Sequence, residues 1–459
     1  MKAERIFVSL MILGVWAVAP LKAQLTWSHL SPGGSLPPAR QSAGVVFVQA
    51  PGDTYGAMYI FGGYGNGTRY NDMYKLSLRP GQEVWTQITQ QNPWPSGRTG
   101  FVMAYDSAGN RIIGYGGDEG NYTARGDCWA FDLGTLRWHQ IDTLIGYHAP
   151  APRVGGDAAF FSGTQKLYLF GGTSWRYPDG WFWDDTWRLD PVTGTWQQLS
   201  PIGNYIPRGN GVAIIDEVDN RMVTFGGIMG SGTWVNETWT IGPLEQPNMT
   251  IAPLYPGGSY PPAMRHSVAV YDSSGPRMIL FSGQDDGGSL HNEVWELRLS
   301  LGSEQWNALS VGGTPPPQMY VATAVLDEPN QRMIVFGGNT GGGQINDVYA
   351  LGPILYGIET PPSQVPQPIT QILSVHPNPS MEEFVFDFSL RRPSEVKVLI
   401  FDITGRLVRT ITKSVMQAGT HQVAWDGILE SGRSGPSGVY FYEFTTGDYT
   451  SRGKVTKTK

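Results

Sequence analysis

A short apolar strand ending in a glycine pair recurs six times in this chain of 459 residues, and no other feature narrows its fold as far. The pairs are Gly62-Gly63, Gly116-Gly117, Gly171-Gly172, Gly226-Gly227, Ser282-Gly283 and Gly337-Gly338, so their first members lie 54, 55, 55, 56 and 55 residues apart. Met58-Tyr59-Ile60-Phe61 and Leu167-Tyr168-Leu169-Phe170 typify the strand before the pair. After each pair comes a polar loop and then an aromatic inside a further strand: Tyr74, Trp129, Trp187, Trp239, Trp295 or Tyr349. Most units add another Trp in the strand after that, at Trp85, Trp138, Trp196 and Trp306. Upstream of each pair lies a stretch of small and β-branched residues, such as Ser42 to Val48 or Ser267 to Tyr271, which makes four strands per unit. One such sheet cannot bury both of its faces, whereas a closed ring of them can. The period therefore predicts a six-bladed β-propeller.

Composition points the same way. The 60 Gly and 16 Trp suit many short strands joined by tight turns, and charged residues at 15% exclude a coiled coil or a charged disordered chain. The glycine pair, the aromatic after it and the spaced Trp resemble the kelch family of β-propellers over roughly three quarters of the chain. That resemblance implies an all-β, six-bladed kelch-type propeller. Three departures stand out: the fifth unit has Ser282, the fourth lacks its last Trp, and the sixth stops at Leu351-Gly352-Pro353 without an outer strand. Thr26-Trp27-Ser28-His29-Leu30 has the pattern of an outer strand and no blade before it, so the amino terminus is expected to close the ring.

The flanks carry addresses. Lys2 and Arg5 precede an apolar run from Ile6 to Ala19, and Pro20-Leu21-Lys22-Ala23 follows before Gln24, which reads as a signal peptide over residues 1–23. The run is shorter than the ~20 residues that cross a bilayer, and Pro20 ends it, so no membrane span is expected in the mature chain. The expected location is secreted or on a bacterial outer cell surface. Pro361, Pro362, Pro366 and Pro368 mark 358–370 as a stiff linker, leaving 24–357 for the propeller. Beyond it, alternation in Glu383-Phe384-Val385-Phe386-Asp387-Phe388 and Val439-Tyr440-Phe441-Tyr442-Glu443-Phe444 predicts a small β-sandwich over 371–459. Its Pro377-Asn378-Pro379, Gly419-Thr420-His421, Trp425-Asp426-Gly427 and Ser437-Gly438-Val439-Tyr440 resemble the Ig-like carboxy-terminal sorting domain of type IX secretion substrates and the Ig-like fold of flagellar hook-capping proteins. The resemblance implies secretion machinery as a partner of this domain.

Residues 24–370 hold 18 Lys and Arg against 29 Asp and Glu, whereas 371–459 hold 11 against 9, so the larger part repels nucleic acid. Only Lys75 and Lys166 among those 18 are lysines; the rest are planar, fork-shaped guanidinium groups. Arg40, Arg98, Arg153, Arg208 and Arg265 each precede the first strand of a blade, 58, 55, 55 and 57 residues apart, and the sixth blade offers Gln318 and Met319 instead. Two readings are open. The arginines can clamp blades through backbone carbonyls or the acids of Asn71-Asp72, Asn236-Glu237, Asn292-Glu293 and Asn346-Asp347. Alternatively they form an interrupted cationic ring that binds an anionic group. The same face holds the longest inter-strand loop, Thr173 to Asp185, with Trp175, Tyr177, Trp181, Phe182 and Trp183, and nearby Trp94, Tyr147, Tyr205 and Tyr260. Clustered loop aromatics make a platform for a protein or glycan ligand, unless they fold onto their own blade.

Catalytic chemistry finds less support. Cys128 is the single cysteine, cannot form an internal disulfide and reads as a small buried hydrophobe. Copper radical oxidases among kelch propellers need a Cys–Tyr crosslink with two His and another Tyr at the metal. His29, His139, His148, His266 and His291 are scattered without ligand spacing. Sialidase-type Ser-x-Asp-x-Gly-x-x-x-Trp turns do not recur, and Asp184-Asp185 and Asp285-Asp286 read as solvated turn acids rather than a Ca²⁺ site. The expectation is a noncatalytic recognition protein with no metal, cofactor or catalytic residue. Its rivals are a carbohydrate-active or copper oxidase-like propeller enzyme and a structural adhesin.

Overall fold

The structure is a computed structural model that describes residues 25–141, 149–354 and 371–458, apart from 122, 162–163, 175–180, 247, 382, 391–393, 417–418 and 447–448. The chain divides into two compact units, residues 1–358 and 359–459. The expected signal peptide (1–23) and linker (358–370) lie outside the described residues. No helix among the described residues is long and apolar enough to cross a membrane, and the one helical element there is the single turn Glu328–Asn330.

The first unit is a ring of six four-stranded antiparallel sheets. Blade 1 comprises Gly44–Val48, Ala57–Phe61, Met73–Ser77 and Val84–Ile88; blade 2 comprises Val102–Asp106, Arg111–Tyr115, Cys128–Asp132 and Arg137–Ile141. Blades 3, 4 and 5 begin at Asp157–Phe161, Val212–Asp216 and Val268–Asp272, and blade 6 at Thr323–Asp327. The six first strands touch their neighbours in an unbroken cycle.

Burial explains the strand patterns. The second strand of a blade lies between neighbouring sheets, so Ala57–Phe61 is buried at every position. The outer strand has one face on a neighbour, so Val84–Ile88 buries only Trp85 and Ile88. In five of the six outer strands a buried Trp fills the wedge between blades. Trp138 lies 5.6 Å from Phe61 of blade 1 and 5.2 Å from Phe131 of its own blade. Blade 4, which lacks that Trp, places Ile251 there.

The amino terminus completes blade 6. Thr26–Leu30 pairs antiparallel with Val348–Gly352, with Trp27 opposite Leu351, and Trp27 packs 4.8 Å from Phe281 of blade 5. The chain then crosses to blade 1, where Gly33-Gly34 pairs in parallel with Val84-Trp85. Gly257-Gly258 and Gly312-Gly313 repeat this clasp on the outer strands of blades 5 and 6. At Gly34, with φ of +84°, a Cβ would collide with the Trp85 carbonyl oxygen, so glycine is required for the approach.

The second unit is a two-sheet sandwich. Gln371–His376, Phe384–Leu390 and Gly419–Trp425 form one sheet; Leu407–Met416, Ser394–Phe401, Gly438–Thr445 and Thr450–Lys457 form the other. Phe384, Phe386, Phe388 and Leu390 face inward at every second position, against Val398, Ile400, Trp425 and Phe444. Lys457, near the end of the last strand, is buried and donates to the Met381 carbonyl at 2.8 Å.

Trp27→Ala removes the largest side chain of the closing strand and is expected to cost about 3–5 kcal/mol. The cost should appear as a lower urea midpoint for the full chain. An unchanged midpoint would show that this strand does not hold the ring closed.

Candidate functional site

In each blade the segment leading into strand 1 and the hairpin between strands 2 and 3 emerge on the same face. They meet there through a repeated bridge: Gln41 with Tyr64, Thr99 with Asp118, Val154 with Thr173, Arg265 with Gln284 and Tyr320 with Asn339. Below these bridges the second glycine of each pair donates its N–H to the incoming carbonyl of the next blade. The six bonds are Gly63 to Arg98 at 2.8 Å, Gly117 to Arg153 at 3.1 Å, Gly172 to Arg208 at 3.2 Å, Gly227 to Met264 at 2.9 Å, Gly283 to Met319 at 3.0 Å and Gly338 to Arg40 at 2.9 Å. Both residues of each pair have positive φ, 67° and 94° at Gly62 and Gly63, and a Cβ at Gly62 would stand 2.6 Å from the Arg98 oxygen. Ser282 takes the same left-handed backbone with φ of 60°.

Four of the five sequence-selected arginines are clamps. Arg40, Arg98, Arg153 and Arg208 are buried. Arg98 donates to the Gly116 carbonyl at 2.9 Å and forks onto Asp127 at 2.6 and 3.0 Å. Arg40 does the same with Gly62 and Asp72, and Arg153 with Gly171 and Asp185. Arg208 reaches Glu237 at 2.8 Å. The acid is held from its other side by the indole two residues on: Trp129 donates to Asp127 at 2.7 Å, Trp187 to Asp185 at 2.6 Å and Trp239 to Glu237 at 2.9 Å. These guanidinium groups are spent inside the blades, which corrects the reading of a cationic ring open to a ligand.

Arg265 is not the fifth clamp. The residue whose carbonyl accepts from the preceding glycine pair is Met264, and in blade 6 it is Met319. The left-handed residue two positions after each clamp confirms the register: Ser42, Gly100, Gly155, Asn210, His266 and Val321 all have positive φ. Arg265 is therefore offset by one residue, onto the wall of the channel mouth. Its guanidinium lies 4.3 Å from the Trp234 ring centroid. No carboxylate among the described residues pairs with it, and burial pulls its pKa below the ordinary guanidinium value. The acids that lack an arginine in these two blades pair with histidines instead. His291 bridges Asp285 at 3.0 Å and Glu293 at 3.1 Å, and His29 meets Asp347 at 2.9 Å.

The aromatic platform is partly corrected too. Trp175 and Tyr177 lie outside the described residues, as does Tyr147. Trp181 pairs through its backbone with Ser174 in a short hairpin extension. Trp183 covers a clamp, its ring centroid 5.2 Å from the Arg153 guanidinium carbon. Trp94 folds down against Phe61, Phe131 and Trp138 and donates to the Asn71 carbonyl at 2.5 Å, and Tyr205 wedges between Phe170 and Trp239. Tyr64, Trp234 and Tyr320 are half-buried aromatics placed at bridges on this face. A separate cleft of about 480 Å³ beside blade 2 is lined by Trp94, Glu119, Arg125 and Trp129, and its acid is engaged by Ser96 and Arg125.

A second arginine set escaped the sequence reading. At the opposite end of strands 1 and 2, Asp106 and Arg111 pair at 2.8 Å, Asp216 and Arg221 at 3.0 Å, Asp272 and Arg277 at 3.0 Å, and Asp327 and Arg332 at 2.7 Å. Arg332 continues into blade 1, to Glu83 at 2.8 Å and the Leu78 carbonyl at 2.8 Å. An Asp five residues before an Arg, recurring with the blade period, was the available signal. Cys128 is fully buried, and burial pushes its thiol up to about 12. Among the described residues, no three His, Cys, Asp or Glu side chains gather in a way that could hold a metal ion.

The family model described as the KLHDC2/KLHL20/DRC7 Kelch-repeats domain matches residues 18–227 and 213–371. The chain belongs to the kelch-repeat family. The FlgD Ig-like domain model matches residues 379–448, inside the sandwich. Putative adagio-like protein 2 of Oryza sativa subsp. japonica is 27% identical over 293 residues, 59% of this chain and 43% of that protein. Host cell factor homolog hcf-1 of Caenorhabditis elegans is 26% identical over 246 residues, 49% of this chain and 29% of that protein. The kelch propeller thus spans less than half the length of these curated relatives. The solved structure described as "Structure of YjhT" superposes with a TM-score of 0.52 at 15% identity, covering 68% of this chain and 95% of that one, which shows the shared fold.

The clamp makes stability depend on acid. Burial raises the pKa of Asp127, but the Arg98 hydrogen bond and charge, with the Trp129 indole, outweigh it and hold the carboxyl below its usual range. A carboxylate depressed in the folded state contributes stability above its unfolded pKa of about 4, and loses it as pH falls through the lower folded value. Arg98→Met should therefore cost about 3 kcal/mol at pH 7, because it leaves the half-buried Asp127 carboxylate without its cation and with only the Trp129 indole as a side-chain partner. Adding Asp127→Leu should recover much of that cost and flatten the acid limb of the urea-midpoint profile. Equal stability of the single and double variants would refute the clamp.

Proposed function

We propose that this is a noncatalytic recognition protein, exported to a bacterial outer surface. Its propeller face binds a protein partner, and its terminal Ig-like domain directs secretion or attachment. The observation that carries the reading is the contrast between the ring and its face. Below the face, arginines and acids neutralise one another in repeated pairs, so the scaffold is closed in charge as well as in backbone. On the face, the hairpins differ from blade to blade, and half-buried Trp234 lies beside Arg265, which has no carboxylate partner among the described residues. Variable loops on a rigid ring are how a propeller acquires a binding surface. Relatives that share the propeller as only part of a longer chain support its use as a recognition module.

Protein and glycan arrays probed with the full chain test the face. Saturable binding to a protein ligand should weaken at least tenfold in a Tyr64→Ala/Tyr320→Ala variant that melts where the parent does. Binding to glycans alone, or binding indifferent to these rings, would overturn the assignment. Removing residues 371–459 tests the tail: the propeller should stay folded and be retained in the periplasm. Normal surface levels of the truncated form would end the sorting role.

A further inference from the structure

Blade 2 departs from the other clamped blades at one position. In blades 1 and 3 the residue two places before the clamp acid is an aromatic lying over the arginine: the Tyr70 ring centroid stands 4.4 Å from the Arg40 guanidinium carbon, and that of Trp183 5.2 Å from Arg153. In blade 4 the buried Val235 occupies the place. In blade 2 it belongs to Arg125, whose side chain is 48% exposed and turns to Glu119 on the same hairpin. The clamp acid Asp127 therefore borders a cleft of about 480 Å³, together with Trp94, Glu119, Arg125, Trp129 and Gln140. Gln140 sits opposite Trp129 on the outermost strand, which places the cleft on the outer part of the blade, away from the channel.

This volume falls within the range of about 300–1,000 Å³ typical of small-molecule sites. Both indole N–H groups are spent, Trp94's on the Asn71 carbonyl and Trp129's on Asp127, so the rings add apolar surface to the lining. The charges cancel. Glu119 is held by Ser96 and Arg125 and lies 3.6 Å from Arg98, while Asp127 is paired with Arg98. Two acids and two guanidinium groups give an ion no net attraction. What remains is hydrogen-bonding capacity of both kinds: further N–H donors on Arg125, lone pairs on carboxylates that are 16% and 20% exposed, and the exposed Gln140 amide, which donates and accepts. A hydroxyl also does both, so a compact ring with an apolar face and a rim of hydroxyls matches the lining.

We infer that this cleft is a second binding site, separate from the channel mouth, and that it takes a neutral pyranoside. One face of the sugar ring rests on the Trp94 indole, and its hydroxyls meet Arg125, Glu119 and Gln140. The site goes beyond the protein-binding role of the propeller face and uses none of the rings assigned to that role.

The test is calorimetric titration of the full chain with the methyl glycosides of glucose, galactose, mannose and xylose, and with methyl glucuronoside as an acidic counterpart. At least one neutral glycoside should bind saturably and more tightly than the glucuronoside. Arg125→Ala and Gln140→Ala, both at exposed positions, should each weaken it by about tenfold at an unchanged melting temperature, the effect of losing one or two hydrogen bonds. The Tyr64→Ala/Tyr320→Ala variant should bind the glycoside as the parent does. No binding by any of the four neutral glycosides, or equal binding by the parent and both cleft variants, would overturn the site. Tightest binding by the glucuronoside would overturn the neutral ligand. Loss of glycoside binding in a folded Tyr64→Ala/Tyr320→Ala variant would move the sugar to the protein-binding face and overturn the cleft. Glycoside binding that depends on Arg125 and Gln140, with no protein ligand on the arrays, would leave this site standing while the protein-recognition role falls.

Discussion

The fold hangs on one hydrogen bond made six times. The second glycine of each pair donates its N–H to the incoming carbonyl of the next blade, and the sixth bond, Gly338 to Arg40, returns to the first blade. Only a backbone at positive φ can turn this N–H out of its own sheet, which is why glycine occupies five of the first positions and all six of the second. Everything else reinforces that cycle. Each clamp arginine accepts from the preceding blade with its backbone and donates to its own blade with its side chain, so one residue couples two interfaces. The cycle has a seam between blades 6 and 1, and there the supports multiply: the strand Thr26–Leu30, the Gly33-Gly34 clasp and the Arg332–Glu83 pair all cross it.

Legibility in the sequence followed periodicity. The six blades, the closing strand and the terminal sandwich were readable because the physics that places them repeats at a fixed interval. The arginine register was not, for an equally physical reason. Arg265 keeps an ordinary spacing from its neighbours, 57 residues from Arg208, because the segment before it is longer. Only the positive φ of His266 and the Met264 carbonyl show that it sits one step off. The loop aromatics failed differently: residue type cannot say whether a ring faces water or a clamp, and Trp183 and Trp94 found partners across loops whose path no local pattern encodes. The lower set of Asp–Arg pairs was legible in principle, since its five-residue spacing recurs with the blades.

Blades 5 and 6 show what the clamp contributes. Both replace the buried arginine with methionine, yet both blades are complete, with Met264 and Met319 fully buried in the same place. A buried ion pair is often energetically equivalent to a well-packed apolar residue of similar volume, because desolvation offsets most of its attraction. Such a replacement is tolerable only if the acid left behind regains a partner or reaches water. Glu293 and Asp347 do so through His291 and His29. The salt-bridged and apolar solutions therefore coexist in one ring, which separates the geometric requirement, the glycine cycle, from the electrostatic one.

That separation also explains where a binding site can arise. In four blades the arginine position is locked by an acid, joined in blades 1, 2 and 3 by a glycine carbonyl and in blades 2, 3 and 4 by an indole on that acid, so its guanidinium is committed to the blade. Once methionine fills the slot, an arginine one residue later no longer competes for the clamp's partners. The incoming segment alternates between the blade interior and the channel wall, so a one-residue offset moves the side chain from a closed pair to an open surface. Trp234 of blade 4 then supplies an aromatic face for it, 4.3 Å away. The scaffold's own register thus decides which arginine is structural and which is available.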